Sequence, residues 1–438
     1  MIKAIVSHAQ GARWAPLSVL PSPNPSLTVN VKTRFQTHLG FGGAITEAAA
    51  YTAMEGRSEA DFKAVVANYF GDDGLRYNLT RIHMNSSDFA LGNYTYVDYG
   101  DTTLQSFNIE REEQYVLPFL REALNHQPAL KTLISPWSPP AWMKTNHYMN
   151  HGGSLKEEFY PLWAAYFVKF IQSLQAKGIQ PWGVSVQNEP AAKQTWDSCL
   201  YTPEQEYTFV KYHLGPALKN AFKGGIQLLV WDHNRDIIME RVAPILQDPD
   251  LKGVVWGTAF HWYGEEAFGN VKAVHDRFPD FHLLFTEGCI EGGPRPGSWE
   301  TGERYARNII GDFNAFNEGF IDWNLILNEQ GGPNHVGNYC DAPILWDRPK
   351  QTLIFNSSYY VIGHFSRHIQ PGATRVALEG TLPDGVSAIT YQNPNGECVV
   401  VFLNATTSSH TFTIQLPSQS VNVTLPEKSV TTLYEDEN

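Results

Sequence analysis

Pro181-Trp-Gly-Val-Ser-Val-Gln-Asn-Glu-Pro190 carries a short apolar, β-branched run that stops on the polar Gln-Asn-Glu-Pro. A run of that length bounded by turn residues reads as a buried strand, here ending on the carboxylate of Glu189. About a hundred residues on, Leu283-Leu-Phe-Thr-Glu-Gly-Cys289 repeats the pattern with Glu287. Carboxylates at the carboxyl ends of parallel strands are where a (β/α)8 barrel gathers catalytic groups, and cleavage of a glycosidic bond requires two of them.

Similar runs lie on either side: Leu39 to Thr46, Tyr77 to Met84, Leu130 to Pro136, Ile226 to Trp231, Val254 to His261 and Phe320 to Leu327. With Pro181 to Gln187 and His282 to Thr286 they make eight. Helical periodicity separates most of them, as in Phe159 to Ala176, where Trp163, Phe167, Phe170, Ile171 and Leu174 recur at three or four residues. Strand and helix alternating eightfold predict an α/β fold, a (β/α)8 TIM barrel. After about residue 355 the texture changes to alternating segments such as Cys398-Val-Val-Val-Phe-Leu403 and Ser429-Val-Thr-Thr-Leu-Tyr434, separated by turn signals such as Asn393-Pro-Asn-Gly396. Ser26-Leu-Thr-Val-Asn-Val31 alternates in the same way. The expected division is an N-terminal segment (1–34) contributing to a side β-sandwich, a catalytic barrel (35–355) and the sandwich's C-terminal strands (356–438).

The 438 residues leave room for this: a barrel of roughly 250 to 300 residues leaves about 140 or more for a second unit. Forty-five acidic against 32 basic residues, with no Lys/Arg run, exclude nucleic acid and anionic membrane surfaces as expected partners. Aromatic content is 13%, and many rings sit beside turn residues, where a flat face with a polar edge suits a sugar. The four cysteines, at 199, 289, 340 and 398, have no spacing for a zinc site or a disulfide framework, which fits a reduced compartment or indifference to redox state. No signal-length apolar core opens the chain and no run of about 18 apolar residues occurs. A cytoplasmic location is the expectation, or an exported one if a leader preceded this chain.

In a retaining glycosidase the two carboxyl groups stand about 5–5.5 Å apart, so that one attacks the anomeric carbon while the other protonates the leaving oxygen. Like charges that close cannot both ionise freely, and one keeps its proton. Asn188 beside Glu189 offers an amide to a sugar 2-hydroxyl, which favours Glu189 as acid/base and Glu287 as nucleophile.

Longer motifs carry a resemblance. Gly40-Phe-Gly-Gly-Ala-Ile-Thr-Glu47, Tyr77-Asn-Leu-Thr-Arg-Ile-His-Met-Asn-Ser-Ser-Asp-Phe89, Ser135-Pro-Trp-Ser-Pro-Pro-Ala-Trp-Met-Lys-Thr-Asn146, His261-Trp-Tyr263, Asp322-Trp-Asn-Leu-Ile-Leu-Asn328, Gly331-Gly-Pro-Asn334 and Gly363-His-Phe-Ser366 run in order along nearly the whole chain. With Asn188-Glu-Pro190 they resemble glycoside hydrolase family 30, in particular its lysosomal glucosylceramidase branch. The resemblance implies a barrel with a side sandwich, retention of β configuration, and no metal or organic cofactor. It assigns Asp88 and Trp137 to hydroxyls of the terminal sugar, Asn188 to the 2-hydroxyl, Trp323 to the sugar's face and Asn338 to the sugar's vicinity. Arg81 and Tyr263 resemble residues that hydrogen-bond the nucleophile, and His261 one that positions this network. Two departures stand out: His335 replaces the branch's tryptophan, and the loop from Cys289 to Trp299 is shorter.

The expected function is a retaining exo-β-glycosidase acting on β-glucosides, glucosylceramide or others with an apolar aglycone. Alternatives are a β-1,6-glucanase, β-xylosidase or β-fucosidase of the same family, and, from another class, a catalytically silent carbohydrate-binding protein.

Overall fold

The computed structural model describes residues 1–436. Eight parallel strands close into a barrel: β1 (Gly40–Ala44), β2 (Leu79–Met84), β3 (Lys131–Pro136), β4 (Gly183–Ser185), β5 (Gln227–Asn234), β6 (Gly257–His261), β7 (His282–Glu287) and β8 (Gly319–Asn324). β8 returns to β1 with Gly319 opposite Gly40 and Phe320 opposite Phe41. The strands are buried almost throughout, which is why the sequence shows continuous apolar runs rather than alternation. Leu79, Leu133, Leu229, Ala259, Leu284 and Ile321, one from each of six strands, form a single cluster that fills the barrel. Gly42 in β1 is required by crowding: a Cβ there would lie 2.1 Å from the Leu79 carbonyl oxygen.

The helix between β3 and β4 spans Tyr160–Ala176 and buries Trp163, Phe167, Phe170, Ile171 and Leu174 as its periodicity predicts. Two expectations need correction. The eighth apolar run breaks after Asn324, and Ile326–Asn328 instead joins Ile344–Asp347 and Thr352–Phe355 in a separate three-stranded sheet. Residues just past 355 form a helix, Ser357–Ser366, packed on helix Trp299–Asn314, and the strands of the sheet resume only at Thr374. Tyr359, Ile362 and Phe365, three apart and all buried, carry the helical period there.

The second unit is a ten-stranded sheet in which both chain ends take part. Ile2–His8 pairs antiparallel with Ser429–Glu435, and Leu27–Thr37 with Thr374–Glu379. Leu27, Val29, Val400, Phe402, Ile414, Val423 and Leu433 share its apolar core, and the rings of Phe402 and Phe412 stack 6.3 Å apart across it. The buried His364 joins this unit to the barrel: its two ring nitrogens lie 2.8 Å from Thr432 Oγ1 and 2.9 Å from Ser7 Oγ. Among the described residues no helix is long and apolar enough to cross a membrane.

Candidate active site

The carboxyl ends of the strands open on a cavity of about 220 Å³. Of the residues singled out in the sequence, Asp88, Trp137, Asn188, Glu189, Tyr263, Glu287, Trp323 and Asn338 line it. Arg81 and His261 lie beneath, each fully buried.

Glu287 is the last residue of β7, and Glu189 follows β4 with a left-handed backbone, φ 48°. Such strain in a non-glycine residue persists where the surroundings enforce a particular aim. Oxygens of the two carboxylates and a ring nitrogen of His261 all lie within 4.8 Å of one another. Both Glu287 oxygens are held: Oε2 accepts from Arg81 Nη1 at 2.5 Å and Oε1 from Tyr263 Oη at 2.9 Å. Arg81 also donates to Asn188 Oδ1 and to Asp232 Oδ2, each at 2.8 Å, and its guanidinium lies 4.7 Å from the centre of the Trp137 ring.

Asp232 is the main residue that the sequence reading missed. It is fully buried and accepts from Arg81, Ser135, Ser185 and Thr286, while His261 Nε2 lies 3.0 Å from its Oδ1. A bulge in β5, with Trp231 and Asp232 both left-handed (φ 75° and 59°), shifts the pairing with β6 and re-aims this segment. The polar Asp232-His-Asn234 after an apolar run was the available signal. Gln194, Trp196, His233, Asn234, Cys289, Glu291 and Cys340 also line the cavity. His233 and Asn234 close β5, and the others come from segments outside the barrel strands whose local sequence has no periodicity to read.

The charges form one system. Burial works against an ionised Asp232, yet Arg81 and His261 hold it far below the usual carboxylate range. Burial also opposes the His261 imidazolium, but Glu287, Asp232 and Glu189 together push it up to about 9. Glu287 is raised by burial, against the pull of His261 and Arg81. Glu189 is buried too, but His261, 3.4 Å away, and His233 hold it at about 2. The two histidines thus favour the ionised form of Glu189. Glu189, His261 and Glu287 are close enough to ligate a cation, and the Arg81 guanidinium already bonded to Glu287 Oε2 opposes a second positive charge there.

At the other side of the cavity Asp88 Oδ2 accepts from Asn338 at 3.1 Å and Asn334 at 3.2 Å. Burial, opposed by Asn338, pushes Asp88 up to about 7. Trp137 and Trp323 stack with ring centres 5.2 Å apart. His335 sits behind Asp88, its amide donating to the Asp88 carbonyl and its Nε2 3.3 Å from Asp197 Oδ2. A larger cavity, about 850 Å³, opens at the amino ends of β5 to β7, but its wall holds a single carboxylate, Asp280.

A carboxylate pair over a buried arginine, flanked by indole rings and a second acid, is an arrangement suited to a sugar. Comparison with known proteins agrees. Residues 38–369 match the glycosyl hydrolase family 30 TIM-barrel domain and residues 372–433 its β-sandwich domain. Mouse lysosomal acid glucosylceramidase is 35% identical over 410 residues, covering 89% of this chain and 79% of that protein. The crystal structure of SrfJ from Salmonella typhimurium superposes with a TM-score of 0.94 at 34% identity, and that of an endo-β1,6-glucanase with 0.91 at 29%, each over the full length of both chains. The chain is a glycoside hydrolase, and it belongs to glycosyl hydrolase family 30.

Proposed function

We propose that the protein is a retaining, exo-acting β-glucosidase. The observation that carries this reading is the approach of the Glu189 and Glu287 oxygens to within 4.8 Å. That spacing suits double displacement, whereas inverting enzymes keep about 6.5–9.5 Å for a water. Glu287 attacks the anomeric carbon, forming a glycosyl-enzyme as Glu189 protonates the departing oxygen. Glu189 then takes a proton from the water that hydrolyses the intermediate. Arg81 and Tyr263 donate to Glu287 and favour its ionised form. His261, between Asp232 and Glu189, is placed to pass Glu189 the proton that the first step consumes.

The small cavity supports a single terminal sugar on the glycone side, with Asp88 and Trp137 on its hydroxyls, Asn188 on the 2-hydroxyl, Trp323 on its face and Asn338 holding Asp88. The likeness to mouse glucosylceramidase supports β-glucosides with an apolar aglycone, glycolipids included. A second reading, β-1,6-glucanase, is favoured by Gln194, His233 and Asn234 and the half-buried Trp196 on the wall by Glu189. A polar wall with one half-buried ring suits a leaving group that is itself a sugar. Proton NMR of the first product from an aryl β-glucoside tests the mechanism, since a β-anomer marks retention and an α-anomer sinks it. Product analysis with glucosylceramide and a β-1,6-glucan side by side separates the two substrates.

A further inference from the structure

Two of the four cysteines, distant in sequence, meet on the cavity wall. Cys289 follows Glu287 by two residues and Cys340 follows Asn338 by two. Both line the cavity, each is 3% exposed, and both pack in the apolar cluster of Trp137 and Trp323. Their backbones are paired, with Asp341 N donating to Ile290 O at 2.9 Å and a bridge between Glu291 and Cys340. The Cys340 side chain acts directly on the Cys289 thiol, while its own Sγ lies 3.9 Å from the Asn338 carbonyl oxygen. Tyr263 Oη lies 3.4 Å from Cys289 Sγ and 2.9 Å from Glu287 Oε1, so the thiol pair touches the group that holds the nucleophile.

We propose that Cys289 and Cys340 form a reversible covalent modification site for small disulfides, and that its closure to a Cys289–Cys340 bond shuts the active site. One thiol loses its proton to solvent and attacks a sulfur of the reagent R–S–S–R, expelling R–S⁻, which takes up a proton. The second cysteine then attacks the protein sulfur of the mixed disulfide and expels the second R–S⁻. Both cysteines are oxidised, and one disulfide is reduced to two thiols. The adjacent Cys340 thiol and then burial push the Cys289 thiol far up, so the reaction is slow near neutrality and accelerates with alkaline pH. Ligands filling the cavity shield it.

The consequence for catalysis follows from length. Two neighbouring but unbonded sulfurs must close to about 2.05 Å, which drags the Glu287-Gly-Cys289 and Asn338-Tyr-Cys340 segments together. Displacements of about 1 Å at a reacting centre cost up to roughly 10²-fold. The gating half of this inference rests on the glycosidase reading; the thiol site itself does not.

The test incubates the full chain with 2-hydroxyethyl disulfide at about pH 8.5, then alkylates remaining thiols under denaturing conditions and maps the peptides by mass. The expected result is a Cys289–Cys340 cross-link lacking two hydrogens, with Cys199 and Cys398 alkylated. Aryl β-glucoside turnover should fall at least about tenfold and return with dithiothreitol. Cys340→Val, and Cys340→Ser should the valine variant misfold, leave Cys289 with no partner to close on, so their mass maps should show at most a 2-hydroxyethylthio adduct on Cys289 and no Cys289 cross-link. Recovery of both cysteines as alkylated thiols overturns the site. A complete cross-link with unchanged turnover overturns the gating. An untreated enzyme inactive on every glycoside tells against the glycosidase reading and its gating, while the mass map still decides the site.

Discussion

Glu189 and Glu287 bring carboxylate oxygens within 4.8 Å of each other although they close strands on different sides of the barrel, β4 and β7. Beneath them Arg81 binds Glu287 and Asp232 at once, and His261 lies between Asp232 and Glu189. The predictions probe this unit and its surroundings.

Glu287→Gly removes the attacking oxygen, and turnover should fall by roughly 10⁴-fold or more. Azide added to the variant should enter from the vacated face and yield an α-glycosyl azide, identified by NMR. A β-azide would exchange the roles of the two glutamates.

Glu189→Ala removes the proton donor. The loss should be about 10²–10⁴-fold for alkyl β-glucosides, which need protonation to leave, and much smaller for activated aryl glucosides. Equal losses across a leaving-group series would argue against an acid role.

Asp232→Asn removes one of the charges that keep His261 protonated up to about 9. A raised imidazole pKa falls when a neighbouring anion is neutralised. The alkaline limb of kcat/KM should therefore move toward neutrality in the variant, as measured by a pH series from 5 to 10, on the order of one unit.

Asp88→Ala should lower kcat/KM for a β-glucoside by roughly 10²-fold or more, since two charge-assisted hydrogen bonds contribute about 1.5–3 kcal/mol each. With Asp88 at about 7, its ionised, fully accepting form grows as pH rises through neutrality. KM should improve from pH 6 to 8 in the parent and stay flat in Asp88→Asn.

His38 is buried against Phe41, Phe313 and Tyr391 where the barrel meets the sheet, and burial lowers it to about 3. Between pH 6.5 and 3 the unfolded chain binds a proton that the folded chain refuses, so stability falls with falling pH across that window. His38→Leu should remove about 2 kcal/mol of the difference between urea unfolding free energies at pH 5 and pH 8, whatever its constant offset.

Much of the site was legible because strand-end motifs report on function locally. Glu189, Glu287, Arg81, His261 and Trp323 each end or lie within an apolar run that the barrel reading had already placed. Asp232 was hidden by its bulge: the apolar run stops at Trp231, while β5 continues to Asn234 through two left-handed residues that no periodicity announces. Helix Ser357–Ser366 was absorbed into the sandwich because its aromatic, β-branched composition reads as strand, and only its packing on Trp299–Asn314 decides otherwise.

What the sequence by itself determined is whatever repeats at short range: eight buried runs, the alternation of the terminal strands, and two carboxylates with an amide beside one of them. Tertiary structure decided what depends on distance through space. Closure of β8 on β1 sets the carboxylate spacing, burial and the Arg81–Asp232–His261 charges distribute the protons, and the loop after β8 lays Cys340 against Cys289. The physical reason is that pairing of residues far apart in the chain is selected by the packed whole, and electrostatic energies depend on separation and desolvation, neither of which has a signature in local order.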